Sequence, residues 1–289
     1  MNKGGDTLVK RPAVKQFGEK GPLFSEGKTK RNFQFGNGTL LMEHKDDITA
    51  VDGARHEIMS GKGIASCQTT IKCFDLLEEA GIMTHLIGDW LQPNQMIVEH
   101  CDMIAIEVVM RRLASGSYLK RNPSVAEGTR LDPIVVEFFL KDDSRHDPYL
   151  TYDLTTGQWL FWDPTKPLSG QESSILESDF HLSPPGTLDH LVAINLVEIA
   201  EVGRRVFEVL EKAWAKVGGL LWDIKLEFGF NSYSILVVAD VIDCDSWRVT
   251  WNGKILSKQP FRDLKVVTPE AMEEIRANYL LAAELVSQW

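Results

Sequence analysis

The chain is predicted to be α+β, with antiparallel sheets and flanking helices, built as one large two-layer unit or two intimate lobes. Three observations lead there. Asn37-Gly38 sits between two apolar runs, the strongest short signal for a hairpin. Residues 221–238 alternate polar and apolar side chains, turn at Asn231-Ser232-Tyr233, and continue into Ile235-Leu236-Val237-Val238. Two long stretches, 191–217 and 268–286, repeat apolar residues at helical spacing. A length of 289 residues exceeds what one small core usually serves.

Composition narrows the function. With 31 Lys and Arg against 41 Asp and Glu, the net charge is −10, which argues against a general binder of nucleic acid. Any anion site must come from local cation clusters. The four cysteines form no C-x-x-C and have no histidine at zinc spacing, so reduced thiols in a cytoplasmic protein are expected. The first 21 residues are polar and basic, expected as a flexible tail, and no run reaches the roughly 20 apolar residues of a membrane span.

In chain order, Gly27-Lys28-Thr29-Lys30 is expected on the early part of a strand-turn-strand element. If extended, both lysines share a face, and the glycine allows close approach of a phosphate. The Walker A spacing is absent, and a solvated basic strand is the alternative. An acid-rich turn follows at 45–55. The spacing predicts a helix over 63–80 with a glycine cap at Gly81, then strands over 96–99 and 103–110 broken at 100–102. Residues 111–121 bring Arg111, Arg112, Lys120 and Arg121 together with Ser115, Gly116 and Ser117, a composition for a phosphate or carboxylate pocket or for a basic surface loop. A strand at 133–140 leads to a turn at 141–148. Residues 149–185, rich in Pro, Gly, Ser and Trp, have no clear period and read as a long irregular insertion, a lid or a surface arm. The 191–217 helix ends at Gly218-Gly219. Thr268-Pro269-Glu270 starts the last helix with a capping hydroxyl, proline at the first position and acid in the first turn.

The hairpin at 221–248 carries the densest chemistry. Asp223, Lys225 and Glu227 share one parity, and if a tight turn sets Gly229 against Ser234, Asp223 lies opposite Asp240. Carboxylates so placed call for a cation, with Mg²⁺ the usual hard ion beside phosphates. A hairpin with its polar face in water is the alternative.

Glu26-Gly27-Lys28-Thr29-Lys30, Lys45-Asp46-Asp47-Ile48-Thr49-Ala50, the stretches 107–121 and 141–148, Asp223-Ile224-Lys225-Leu226-Glu227-Phe228-Gly229 and residues 239–248 occur in the order found in the phosphoribosylaminoimidazole-succinocarboxamide synthase (SAICAR synthetase) family, which the chain resembles from about residue 23 onward. Asp245-Ser246-Trp247-Arg248 and Phe261-Arg262-Asp263-Leu264-Lys265 are similar to the synthetase part of the animal bifunctional purine enzyme. The resemblance implies an ATP-grasp-related fold of two lobes enclosing an ATP site. Residues 22–104 would form the β-rich ATP-binding lobe and 105–289 the larger lobe. It also implies ligation of L-aspartate to carboxyaminoimidazole ribotide, with ATP giving ADP and phosphate and Mg²⁺ as cofactor. Lys28, Thr29, Lys30 and Lys141 would hold the nucleotide, with Glu99 and Met103 at the adenine. Glu227 and Asp240 would carry the metal at the ATP phosphates. Arg111, Ser115 and Ser117 would grip the ribotide phosphate, and Lys225, Asp245 and Arg248 the rest of the ribotide. Lys225, Asp223 and Asp52 would be catalytic. No nucleic acid or membrane partner is implied, and self-association into a homo-oligomer stays open. Val51 stands where many bacterial members have glycine and Cys244 where they have proline. The 149–185 stretch is longer than the family pattern, and its Trp159-Leu160-Phe161-Trp162 reads as an exposed aromatic cluster suited to an interface. A related-fold kinase or a ligase for another carboxylate, and a non-catalytic nucleotide binder, are the competing readings.

Overall fold

The computed structural model describes residues 19–36, 38–50, 53–88, 92–153, 155–156, 158–175 and 189–289. Strands β1 (Leu23–Glu26), β2 (Lys30–Gln34) and β3 (Thr39–His44) form a meander, with the β2–β3 turn where the Asn-Gly pair predicts it. A two-stranded ribbon of β4 (Asp47–Ala50) and β5 (Arg55–Ile58) leads into helix α1 (Lys62–Glu79), and β6 (Leu86–Gly88) and β7 (Gln95–Glu99) complete a five-stranded sheet in the order β1-β2-β3-β7-β6. Helix α1 ends before Gly81 at φ +73°, as the glycine predicts. Its other end is fixed by Asp46, whose carboxylate accepts from Gly61 N (3.2 Å) and Gly63 N (2.8 Å). Gly63 is required there, since a Cβ would lie 2.6 Å from the His44 carbonyl oxygen.

The larger sheet starts at β8 (Asp102–Leu113) and continues through β9 (Arg130–Leu140), β10 (Tyr149–Asp153), β11 (Gln158–Trp162), β12 (Ser174–Ile175), β13 (Gly219–Phe230), β14 (Leu236–Ala239), β15 (Trp247–Trp251) and β16 (Lys254–Ile255). Its order is β12-β11-β10-β9-β8-β13-β15-β16, with β14 also on β13 and every pairing antiparallel. Short helix α2 (Ser117–Arg121) lies between β8 and β9, and α3 (Asp189–Lys216), α4 (Gln259–Asp263) and α5 (Pro269–Val286) flank the sheets. Ile224, Leu226 and Phe228 of β13 enter a core cluster shared with α1, α3 and α5, so both sheets rest on one apolar interior. Within it Trp214 is fully buried, edge-on to Trp247 at 5.2 Å and to Trp289 at 5.3 Å. Among the described residues no helix is long and apolar enough to cross a membrane.

Five expectations are corrected. Residues 149–162 are not irregular: Tyr149↔Trp162 through Asp153↔Gln158 pair as a hairpin that extends the sheet, with β12 beyond it. Alternating Tyr, Leu, Thr and Trp residues favour strands, and the Pro- and Gly-rich sequence that follows obscures them. Residues 176–185 lie outside the described residues. Trp159 is buried against Tyr152 rather than part of an exposed patch. Arg111 and Arg112 belong to β8 rather than to a loop. Gly27 to Thr29 turn between β1 and β2, closed by Gly27 N donating to Lys30 O, because the glycine ends the strand instead of extending it. Finally, Gly229 pairs with Val237, and Asp223 faces Arg248 and Arg111 instead of Asp240. The side chain of Asn231 accepts from Tyr233 N and Ile235 N, which widens the turn and shifts the register.

Thr268 caps α5, its hydroxyl accepting from Ala271 N at 3.2 Å. Thr268→Ala is expected to cost about 1 kcal/mol, read as a lower urea midpoint with unchanged slope.

His44 sets a pH limit on the fold. It is fully buried, and burial, then Lys30 and Lys62, lower its imidazole to about 3. The Ser66 hydroxyl donates to Asp243, so His44 Nδ1–H donates to Ser66 Oγ at 3.2 Å, and Nε2 has no partner. Because the unfolded chain takes up this proton near pH ~6.5 and the folded chain only near 3, stability falls as pH drops through that window, by up to about 1.4 kcal/mol per unit. Urea midpoints between pH 7 and 5 are expected to fall in the native chain and to fall less steeply in His44→Gln, where His85, buried and lowered to about 4, still contributes a slope of the same sign.

Candidate active site

The pairing of β13 places the site. Its first half pairs with β15 and its second with β14, and the changeover is marked by Lys225 N donating to Ser246 O at 2.8 Å. Residues 240–246 emerge from this split as a loop carrying Asp240, Asp243 and Asp245. Asp240 adopts φ +61°, a left-handed conformation that Asp and Asn tolerate better than other non-glycine residues.

Beside the loop lies a cavity of about 310 Å³. Lys28, Thr29 and Lys30 line it from the β1–β2 turn, Thr49, Ala50 and Gly53 from the ribbon, and Glu107 and Lys225 from the large sheet. Asp240, Asp245, Lys258, Arg262 and Asp147 also line it. Its charged groups interlock. Lys225 Nζ lies 2.8 Å from both Glu107 Oε1 and Glu227 Oε1, Lys141 Nζ lies 2.5 Å from Glu227 Oε2, and Lys30 pairs with Asp240. Burial alone would raise the Glu227 and Asp240 carboxyls. The neighbouring lysines outweigh it, and both are held below the usual carboxylate range. Burial opposes the charge on Lys225, yet Glu227 and Glu107 keep it well above the usual range. Three ammonium groups and three carboxylates thus balance at the cavity wall.

A second network lies along β13. Arg111 is 3% exposed, its Nε 2.5 Å from Glu137 Oε2 and its Nη1 2.9 Å from Asp223 Oδ2, while Nη2 points at Ser117 Oγ, 3.4 Å away. Asp223 also accepts from Arg248 Nη1, at 3.0 and 2.7 Å, and from Ser115. Gly116, at φ +56°, lets this cluster close, since a Cβ would meet Arg248 Nη2 at 2.7 Å. A further cavity of about 630 Å³ opens on Gly116, Ser117, Lys120, Arg248, Gln259 and Arg262. Arg248 lines this second cavity and Arg262 lines both.

The family model described as SAICAR synthetase matches residues 23–166 and 177–278. The chain belongs to the SAICAR synthetase family. The phosphoribosylaminoimidazole-succinocarboxamide synthase of Roseiflexus sp. (strain RS-1) is 40% identical over 93% of this chain and 98% of its own length. The Multifunctional protein ADE2 of Gallus gallus is 38% identical over 92% of this chain and 58% of its own. A solved SAICAR synthetase (Type-2) in complex with ADP is 33% identical with a TM-score of 0.69, covering 88% of this chain and 96% of the other. The enzyme from Pyrococcus horikoshii OT3 is 34% identical with a TM-score of 0.65, over 86% of this chain and 96% of its own.

Most of the residues expected at the nucleotide and the metal converge: Lys28, Thr29, Lys30 and Asp240 line one cavity with Lys225, which was expected at the ribotide, and Lys141 and Glu227 join them through ion pairs. Arg111, Ser115, Ser117, Asp223 and Arg248 form the second network. Of the four cations expected to act as a basic loop, three are buried in pairs. Arg111 meets Glu137 and Asp223, Arg121 meets Glu137, and Arg112 meets Glu211 at 2.8 and 3.1 Å. Only Lys120 is exposed among them. Glu99 and Met103 lie at the β7–β8 turn and do not line the main cavity. The Glu99 carboxylate accepts from Ser232 Oγ (2.8 Å) and Asn231 Nδ2 (3.3 Å). Asp52 lies outside the described residues.

Sequence reasoning passed over Glu137, Lys258 and Arg262 as site residues. Glu137 interrupts Ile134-Val135-Val136 and Phe138-Phe139-Leu140, and a lone acid in such a run signals a buried partner. Lys258 and Arg262 are four residues apart, the spacing of one helix face. Burial lowers both, and Arg248 beside Arg262 adds to the effect there.

Proposed function

We propose that the 310 Å³ cavity is where this ATP-dependent ligase of purine biosynthesis joins L-aspartate to carboxyaminoimidazole ribotide, giving SAICAR, ADP and phosphate. The observation that carries the assignment is the adjacency of two differently built charge clusters. One is a ring of lysines balanced by carboxylates, and the other a rigid arginine network beside small hydroxyl residues. A phosphoryl donor suits the first and a phosphorylated sugar the second.

A carboxylate resists attack by an amine at neutral pH. One ribotide carboxylate oxygen therefore attacks the terminal phosphorus of ATP and ADP departs. The aspartate amine then attacks the acyl carbon, loses a proton, and expels phosphate that carries the carboxylate oxygen. Lys28, Lys30 and Lys141 bind the ATP phosphates, the latter two by exchanging a carboxylate partner for a phosphoryl oxygen. Lys225, anchored between Glu107 and Glu227, meets the charge that develops between the two reactants. Glu227 and Asp240 would hold Mg²⁺: they are two buried carboxylates, Asp240 raises the Glu227 carboxyl, and both are countered by lysine ammonium groups, a donor set suited to a hard cation. When bound, that ion supplies charge neutralisation at the phosphates.

Arg111, through the Nη2 edge that it turns to Ser117, and Ser117 take the ribotide phosphate, with Ser115, Arg248 and Asp245 around the sugar and imidazole. Asp223 contributes by holding Arg111 and Arg248 at a fixed separation. Glu99 and Met103 mark the adenine end, and the family resemblance adds Asp52 as a catalytic residue. The same reading places the chain in the cytoplasm, supported by four free, buried cysteines.

Purified chain given ATP, Mg²⁺, ribotide and aspartate is expected to release ADP only when both acceptors are present. ADP release independent of the ribotide, or none at all, contradicts the assignment.

A further inference from the structure

The cavity wall contains a carboxylate whose orientation is set from behind by a lysine that never reaches the cavity. Lys62, the first residue of α1, is 2% exposed, and its Nζ lies 3.1 Å from Asp245 Oδ2. Tyr279 of α5 donates its hydroxyl to Asp245 Oδ1, and its ring lies 5.7 Å from Lys62 Nζ. Asp245 N donates to Asp243 Oδ1 at 2.8 Å, so the loop itself is tied. The remaining acceptor capacity of Asp245 faces the cavity.

Burying an ammonium group costs several kcal/mol, and an apolar side chain of similar length would fill this space more cheaply. The fold nevertheless fixes Lys62 from three sides. Gly61 N and Gly63 N donate to Asp46, a Cβ at Gly63 would lie 2.6 Å from His44 O, and Arg276 Nε donates to Ser60 O at 2.8 Å. Such over-determination of a buried charge fits a demand for geometry at its partner rather than for stability.

We propose that Lys62 is a positioning residue for the ligase reaction, clamping Asp245 with Tyr279 so that its carboxylate is presented to the ribotide in one fixed orientation. This rests on the reading of Asp245 as a ribotide contact. The charges around Asp245 come from every packed element: Lys62 on α1, Lys258 ahead of α4 at 3.8 Å, Arg262 on α4, Tyr279 on α5, and Asp243 and Cys244 on its own loop. Burial alone would raise the Asp245 carboxyl. Lys62 leads the groups that hold it below its ordinary range, so removing Lys62 moves its protonation upward in pH.

The test is steady-state kinetics of Lys62→Met, Tyr279→Phe and Asp245→Asn, with ATP affinity and urea unfolding as controls. Lys62→Met is expected to raise KM for the ribotide about tenfold, leaving kcat and KM for ATP within about twofold. A merely structural lysine would lower stability without separating KM for the ribotide from kcat and from KM for ATP among the folded molecules. If Lys62→Met does not hold the fold, Tyr279→Phe carries the test with a smaller rise in KM for the ribotide. An effect of Asp245→Asn on ribotide KM with none from Lys62→Met or Tyr279→Phe overturns the inference alone. No effect of Asp245→Asn removes the ribotide reading of Asp245 and the inference with it.

Discussion

Asp240→Asn is expected to lower turnover by roughly a hundred- to a thousand-fold, the loss typical when one preorganised charge is removed from a transition state. Asparagine has nearly the shape of aspartate and accepts the left-handed backbone found at 240, so the loop stays folded and the loss reports on charge. Glu227→Gln should act in the same direction. It leaves Lys225 and Lys141 without their shared anion and removes the other oxygen donor proposed for Mg²⁺. Both variants are expected to need more magnesium for half-maximal rate. The check is a magnesium titration of turnover at saturating ATP and ribotide. Unchanged magnesium dependence in both variants contradicts the proposed metal position, whereas unchanged turnover contradicts the placement of the phosphates.

Glu137→Gln is expected to produce the largest loss of stability, about 3–5 kcal/mol, because it strips the counter-charge from buried guanidinium groups. Glu137 and Arg121 are each 3% exposed, and the Arg121 guanidinium lies over the Phe139 and Tyr149 rings at 5.0 and 4.6 Å, so the pair is shielded from bulk solvent. Arg111 would keep Asp223 and lose its second anchor, so its Nη2 edge would no longer be held toward Ser117. Two measurements separate the consequences. Urea unfolding reads the stability loss, and among folded molecules KM for the ribotide should rise while KM for ATP stays near its native value. Equal loss of affinity for both ligands contradicts the division of the site into two clusters.

How much of this was legible in the sequence depended on the range of the interactions. Helices α1 and α5 were readable from local chemistry, a glycine at one end and a Thr-Pro-Glu start at the other, because caps act within a turn. The β2–β3 hairpin followed from its Asn-Gly pair. The register of β13 on β14 was misread because the side-chain bonds of Asn231 widened the turn, and a shift there moved the partner of Asp223 from Asp240 to two arginines. That Lys225 and Glu227 share a face came from parity alone and survived the shift. Which cations are free could not be read locally. Arg112 and Arg121 look like anion binders in a linear motif, yet each is neutralised by a residue at least sixteen positions away, Arg112 by Glu211 and Arg121 by Glu137. Lys62 lay in an unremarkable Gly-Lys-Gly start of a helix, and only the approach of residues 240–246 gives it a partner.

The central claim is that one cavity brings the ribotide carboxylate to the terminal phosphoryl group before the amine arrives. Transfer of ¹⁸O from doubly labelled ribotide carboxylate tests it most directly, with the product phosphate analysed by mass spectrometry or ³¹P NMR. One label in each phosphate released, with the other kept in the amide carbonyl, is the predicted result. Phosphate free of label, formed alongside SAICAR, would contradict it.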